Sequence, residues 1–263
     1  MRAVVFAYHD VGVNCLKELL KAGIQVDLVI THQDDPNENV WFGSVAKLCK
    51  EKNIAYITPS ASELANLIPQ LQVLAPDYIF SFYYRYMIPA QILACAKIAA
   101  LNMHGSLLPK YRGRAPVNWA ILHGETETGA TLHIMEEKPD AGDIVGQSSV
   151  TIGPDETATD VFAKVSEAAV NVIREALPAL LQGKVTRQPN DLQKGSYFGG
   201  RKPADGLIDW NQTAKQVHDL VRAVAPPYPG AFSDHNGKTM IIARTSLKGH
   251  LPSNLNLKAL GIQ

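Results

Sequence analysis

The chain has 263 residues, is 46% hydrophobic, and carries 25 basic against 25 acidic side chains, for a formal net charge of zero. That length and composition can bury one large core or two small ones, while the charge balance lacks the basic excess of a nucleic-acid binder. No apolar run reaches the roughly 18 residues that span a bilayer, so membrane insertion is not expected.

Residues 2–7 (RAVVFA) read as a first core strand; no cleavage site follows that would make them a signal segment. Val13, Leu16, Leu19 and Leu20 recur at helical spacing before Gly23, and residues 25–31 form a second apolar run. This βαβ opening has Gly12 alone where a dinucleotide fingerprint needs G-x-G-x-x-G, so NAD or FAD binding is set aside. A helix is expected from the cap Ser44 to residue 52, then a brief strand over 55–57. A further helix over 62–74 should be kinked or split by Pro69.

Residues 78–82 predict a third strand, followed by Tyr83-Tyr84-Arg85-Tyr86 and a helix over 89–96. These aromatics either pack the rim of a sheet or, with Met87 and Ile88, make a shelf for a flat heterocycle. Alternating strands and helices up to residue 103 predict an α/β fold with a doubly wound, mainly parallel sheet. Cys15, Cys49 and Cys95 are odd in number and far apart in apolar patterns, which fits buried reduced thiols in a cytoplasmic protein.

The run from residue 98 ends abruptly in polar groups. Period-2 alternation puts the amide of Asn102 and the imidazole of His104 on one face of an extended backbone. Gly105, Pro109, Gly113 and Pro116 then force a long loop from a strand end, where open α/β sheets hold ligands. A packed core histidine beside a turn-forming asparagine is the plainer alternative. A helix over 116–122 and a strand over 130–135 lead to a second loop with four carboxylates, Glu136, Glu137, Asp140 and Asp143. One of them could fix a histidine's tautomer. His104, His123 and His133 fit no compact ligand spacing, so a metal-free site is expected.

A strand over 145–152 precedes a long amphipathic helix, capped by Thr157 or Thr159 and running to Leu181. Residues 1–183 are read as a catalytic domain, 184–206 as a linker rich in Gly, Pro, Gln and Asn, and 207–263 as a small C-terminal unit. That unit should hold a helix over 213–223 and a hairpin turning at Asn236-Gly237; residues 251–263 show no strand alternation.

Asn102-x-His104 with Ser106-Leu107-Leu108-Pro109, Arg112-Gly113 and Asp140-Ala141-Gly142 resembles the folate-dependent formyltransferases. Longer stretches, such as residues 80–85 and 104–116, are similar to the branch that formylates UDP-4-amino-4-deoxy-L-arabinose in polymyxin resistance. The resemblance spans roughly residues 1–245. It implies a formyltransferase fold with a small C-terminal β-containing unit and 10-formyltetrahydrofolate as donor. It also implies a nucleotide-linked amino sugar as acceptor, and neither a metal nor a nucleic-acid partner.

Carried over by position, Asn102 becomes the transition-state amide, His104 the acid/base, and Asp140 the carboxylate that tunes it. Donor contacts fall on Tyr86, Met87, Ile88 and Arg114, and on Glu136, Glu137, Lys138, Pro139 and Asp140. Tyr111, Arg201 and Lys202 are candidates for the acceptor side; an exposed Arg-Lys pair is otherwise a solvated surface. The length is expected to suit a stand-alone formyltransferase without the branch's decarboxylating half. A methionyl-tRNA formyltransferase is the rival within the family, and a non-catalytic folate-binding module the rival outside it.

Overall fold

Two runs are buried along nearly their whole length, β1 (Arg2–Ala7) and β4 (Tyr78–Phe82), and both lie in the middle of the sheet. Continuous apolar runs of this kind belong to parallel strands covered on both faces. In the computed structural model, residues 1–34 and 40–247 are described. After β1 come α1 (His9–Lys21), β2 (Gln25–Ile30), α2 (Val45–Lys52) and β3 (Tyr56–Ile57). A 3-10 helix then passes into α3 (Ile68–Leu74) with Pro69 in its first turn, so the expected helix is split at the proline.

Past β4, α4 (Ala90–Leu93) is a single turn, shorter than expected. Lys97 and Ile98 donate their N–H groups to Pro76 and Asp77, which draws the chain out of the helix into the next strand. That strand is β5 (Ala99–His104), followed by β6 (Arg112–Gly113), α5 (Pro116–Leu122), β7 (Glu127–Ile134), β8 (Ile144–Thr151) and α6 (Ala158–Leu180). Thr157 caps α6 with a reciprocal bond to Asp160. The helix lays Val161, Val165, Ala168, Val172 and Ile173 into the core.

The seven-stranded sheet has the order β3-β2-β1-β4-β5-β7-β8. The first five strands pair in parallel; β7 and β8 join antiparallel. A larger core on one face involves α1, α2, α5 and α6, and a smaller one on the other involves α3 and α4, the doubly wound arrangement. Along β5, Ala99, Leu101 and Met103 enter the larger core while Ala100 enters the smaller one. Asn102 and His104 therefore share the smaller core's face at the strand's carboxyl end.

Residues 184–206 lie along the sheet domain. Gln188 exchanges two backbone hydrogen bonds of 2.8 Å with Ile144, and β9 (Tyr197–Phe198) pairs in parallel with β6. Beyond them, α7 (Ala214–Ala223) packs on α5, and β10 (Ala231–His235) and β11 (Lys238–Ile242) form a hairpin. Its two turn residues, Asn236 and Gly237, have φ of 49° and 74°, as a type I′ turn requires. The stretch 251–263 lies outside the described residues. No helix among the described residues is long and apolar enough to cross a membrane.

Candidate active site

The carboxyl ends of β1, β4 and β5 open into a cavity of about 550 Å³, within the range of small-molecule sites. Asn102, His104, His133 and Asp140 share one corner of it. Antiparallel pairing puts His133 on β7 directly opposite Asn102 on β5.

The protonation pattern follows from the fixed partners. The carbonyl of Tyr111 can only accept, so His104 donates to it from Nε2 at 2.8 Å. This leaves Nδ1 of His104 facing Asp140 Oδ1 at 3.5 Å. His133 donates from Nδ1 to the Ile134 carbonyl at 2.7 Å, and its Nε2 accepts a hydrogen bond from Asn102 Nδ2 at 3.0 Å. The second Nδ2 proton of Asn102 meets Asp140 Oδ1 only at 3.5 Å, the limit of hydrogen-bond distance, and is the one available to a ligand oxygen.

Asp140 is at the centre of these contacts. Its Oδ1 lies 3.4 Å from His133 Nε2, and its Oδ2 accepts the Gly113 N–H at 2.8 Å. Burial works against its ionisation, but the charge of His104 and the Gly113 N–H hold the carboxyl well below the usual carboxylate range. Its backbone sits at φ 50°, and Asn190 clamps the loop by donating to the carbonyls of Asp140 and Gly142 at 3.1 and 3.2 Å. Gly113 itself has φ 98°, and a Cβ there would overlap the Phe198 carbonyl, so no other residue fits the β6–β9 pairing.

Of the residues singled out in the sequence, Tyr86, Met87, Ile88, Arg114, Glu136, Pro139 and Asp140 line this cavity. Tyr86 and Met87 are 38% and 60% exposed, so they form an open apolar shelf and not a packed rim. Glu137 and Lys138 do not line it. Tyr111, read as an acceptor contact, is buried and off the cavity lining. Its φ of 57° turns the ring inward, where it stacks on Phe198 at 5.4 Å and donates its hydroxyl to Glu125 at 2.8 Å. Arg201 and Lys202 are also off the lining. The Arg201 guanidinium lies over the Trp119 ring at 4.8 Å, and the Lys202 N–H donates to Asp205 at 2.7 Å.

Among the lining residues not foreseen are His133 and the group His9, Phe162 and Tyr228. His9 and Tyr83 both pack edge-on against Phe162, with centroids 4.7 and 5.5 Å away. Tyr228 comes from the C-terminal unit, and burial pushes its phenol up to about 12 against the opposing effect of Asn118. Among the described residues no group of His, Cys, Asp and Glu is arranged to hold a metal ion.

An α/β sheet ending in an amide, an imidazole and an ionised carboxylate beside an apolar shelf is the framework of a group-transfer enzyme. Residues 1–177 match the formyl transferase model and residues 201–256 the formyl transferase C-terminal domain; the chain belongs to this family and is a formyl-transferring enzyme. Among solved structures it is similar to a 4-N formyltransferase from Francisella tularensis, with 25% identity and a TM-score of 0.73. That match covers 92% of this chain and 96% of the other. The N-formyltransferase of Helicobacter canadensis, solved with folinic acid and dTDP-3-aminofucose, shares the fold at 21% identity and a TM-score of 0.69, over 91% of this chain and 86% of that one. A sugar N-formyltransferase from a Shewanella species does so at 19% identity and a TM-score of 0.72, over 94% and 97%.

Proposed function

We propose that this enzyme moves a formyl group from 10-formyltetrahydrofolate to the 4-amino group of a nucleotide-linked sugar. UDP-4-amino-4-deoxy-L-arabinose is the favoured acceptor, with a dTDP-linked 4-amino-dideoxyhexose as the alternative. The observation that carries this reading is the meeting of Asn102, His104 and Asp140 in one corner of a cavity that also holds the Tyr86–Met87–Ile88 shelf. The names of the similar structures, a 4-N formyltransferase and an enzyme solved with folinic acid and a dTDP-amino sugar, support both substrate classes.

The shelf and Met135 suit a flat pterin, and Arg114 a carboxylate at its glutamate end. His9, Tyr83, Phe162 and Tyr228 form an aromatic wall on which an acceptor ring can pack. The free amine attacks the formyl carbon, whose oxygen becomes negative in the tetrahedral state. Asn102 donates its second Nδ2 proton to that oxygen, a contribution of about 3–4 kcal/mol. The amine nitrogen must lose a proton and the departing folate nitrogen must gain one. Because Nε2 of His104 is committed to the Tyr111 carbonyl, Nδ1 is the atom that carries this proton, and Asp140 balances the charge while it does.

The test is an assay of the purified protein with 10-formyltetrahydrofolate and, separately, the UDP-amino sugar, a dTDP-4-amino-dideoxyhexose and methionyl-tRNA. Turnover with a nucleotide sugar is expected. Turnover confined to the tRNA would overturn the acceptor assignment, and folate binding with no turnover on any amine would favour a binding module.

A further inference from the structure

The shelf over residues 83–88 is irregular chain, and among the described residues it makes no backbone–backbone hydrogen bond outside the regular elements. Side-chain contacts from neighbouring elements therefore bear on its shape. Behind it, at the end of β2, stands His32, 8% exposed and absent from the cavity lining. The Arg85 N–H donates to His32 Nε2 at 3.0 Å. The His32 ring stacks on Tyr84 at 4.3 Å with an interplanar angle of 18°, and meets the edges of Tyr86 at 4.6 Å and Tyr8 at 5.0 Å. One imidazole thus touches Tyr84, Arg85 and Tyr86, the three consecutive residues that lead into Met87 and Ile88.

We infer that His32 is the positioning residue of the donor shelf: its Nε2 holds the Arg85 N–H and its ring seats Tyr84 and Tyr86 in the geometry that receives the pterin. The inference rests on the reading of this shelf as the folate site. His32 touches neither Asn102 nor His104 in the contacts that define the corner, so its effect falls on donor binding and not on the chemical step. The ring and the acceptor nitrogen are separable. His32→Phe keeps an aromatic face against Tyr84 but leaves the Arg85 N–H without its partner, whereas His32→Gln places an acceptor oxygen near the former Nε2 without the ring.

The experiment measures the dissociation constant of 5-formyltetrahydrofolate by calorimetry, together with steady-state constants for 10-formyltetrahydrofolate and the acceptor, for the wild type and both variants. His32→Phe should raise the donor dissociation constant and KM about tenfold, the effect of one lost neutral hydrogen bond, with kcat and acceptor KM within about twofold. His32→Gln should recover most of that loss. Donor binding unchanged in His32→Phe, or a fall in kcat and a rise in acceptor KM that His32→Gln does not relieve, would overturn the proposal. A wild-type protein that binds no folate would instead remove the reading of the shelf itself, and this inference with it.

Discussion

The amide of Asn102 is committed on one side, its Nδ2 donating to Nε2 of His133 at 3.0 Å across the β5–β7 register. That bond decides which way the amide faces. A terminal amide is otherwise free to rotate its oxygen into the place of its nitrogen, which would turn a donor into an acceptor where negative charge develops. His133→Phe should therefore lower kcat about ten- to a hundredfold with little change in either KM, as expected when a transition-state donor loses its support. Paired with Asn102→Ala it should be markedly non-additive. Additive losses in a double-mutant cycle would show that the two side chains act separately.

Asn102→Ala and His104→Ala are expected to remove most turnover while the fold persists, since neither side chain fills the apolar core. Loss of the amide should cost about a hundred- to a thousandfold in kcat, and loss of the imidazole roughly 10²–10⁴-fold. Near-normal kcat in either variant, with thermal melting unchanged, would refute the roles given to them.

The hydroxyl of Tyr83 is packed against Gly105, the residue that follows His104, and a Cβ on that glycine would overlap the hydroxyl outright. Gly105→Ala should thus destabilise the protein by about 1–3 kcal/mol and displace His104, with a corresponding fall in kcat. Removing the hydroxyl by Tyr83→Phe in the same chain should return part of both, because the next atom, Cζ, stands 3.0 Å from the added methyl. The measurements are melting temperature and kcat for the two single variants and the double. A double variant no better than Gly105→Ala would rule out this contact as the cause.

The depressed acidity of Asp140 ties stability to pH with a defined sign. Its folded-state value lies below the ordinary carboxylate value of about 3.9, so the unfolded chain binds the proton more readily. Stability from this carboxylate is complete above about pH 4 and is lost as the pH falls through the folded-state value. The deficit in melting temperature of Asp140→Asn relative to the wild type should accordingly shrink between about pH 7 and about pH 3. A deficit that stays constant, or grows in acid, would mean that the carboxylate is not held ionised by its neighbours.

Much of this was legible in the residues. Buried runs in β1 and β4, the proline that splits the helix before β4, the cap at Thr157 and the Asn236-Gly237 turn are all local signals, and each formed where its own chemistry placed it. Asn102 and His104 could be put on one face because alternation is a property of a single strand. His133 could not be joined to them, because its place depends on the antiparallel register between two strands, which no local pattern reveals. Asn190 and Tyr228 were hidden for the same reason: one clamps the Asp140 loop from 50 positions away, and the other reaches the cavity from the C-terminal unit. Tyr111 was read as an acceptor contact from its chemistry alone, while its buried ring stacks on Phe198 off the cavity lining.

The pairing of β6 with β9 also has a meaning in time. By the moment a ribosome has released the long helix α6, Asn102, His104, His133 and Asp140 have all been made. The strand that meets Gly113 and the Asn190 clamp on the Asp140 loop are then still enclosed in the ribosome. The sheet can close early in synthesis, but the cradle of its carboxylate waits for the chain to double back. Until then the nascent chain carries its reactive groups without the contacts that fix Asp140 beside them.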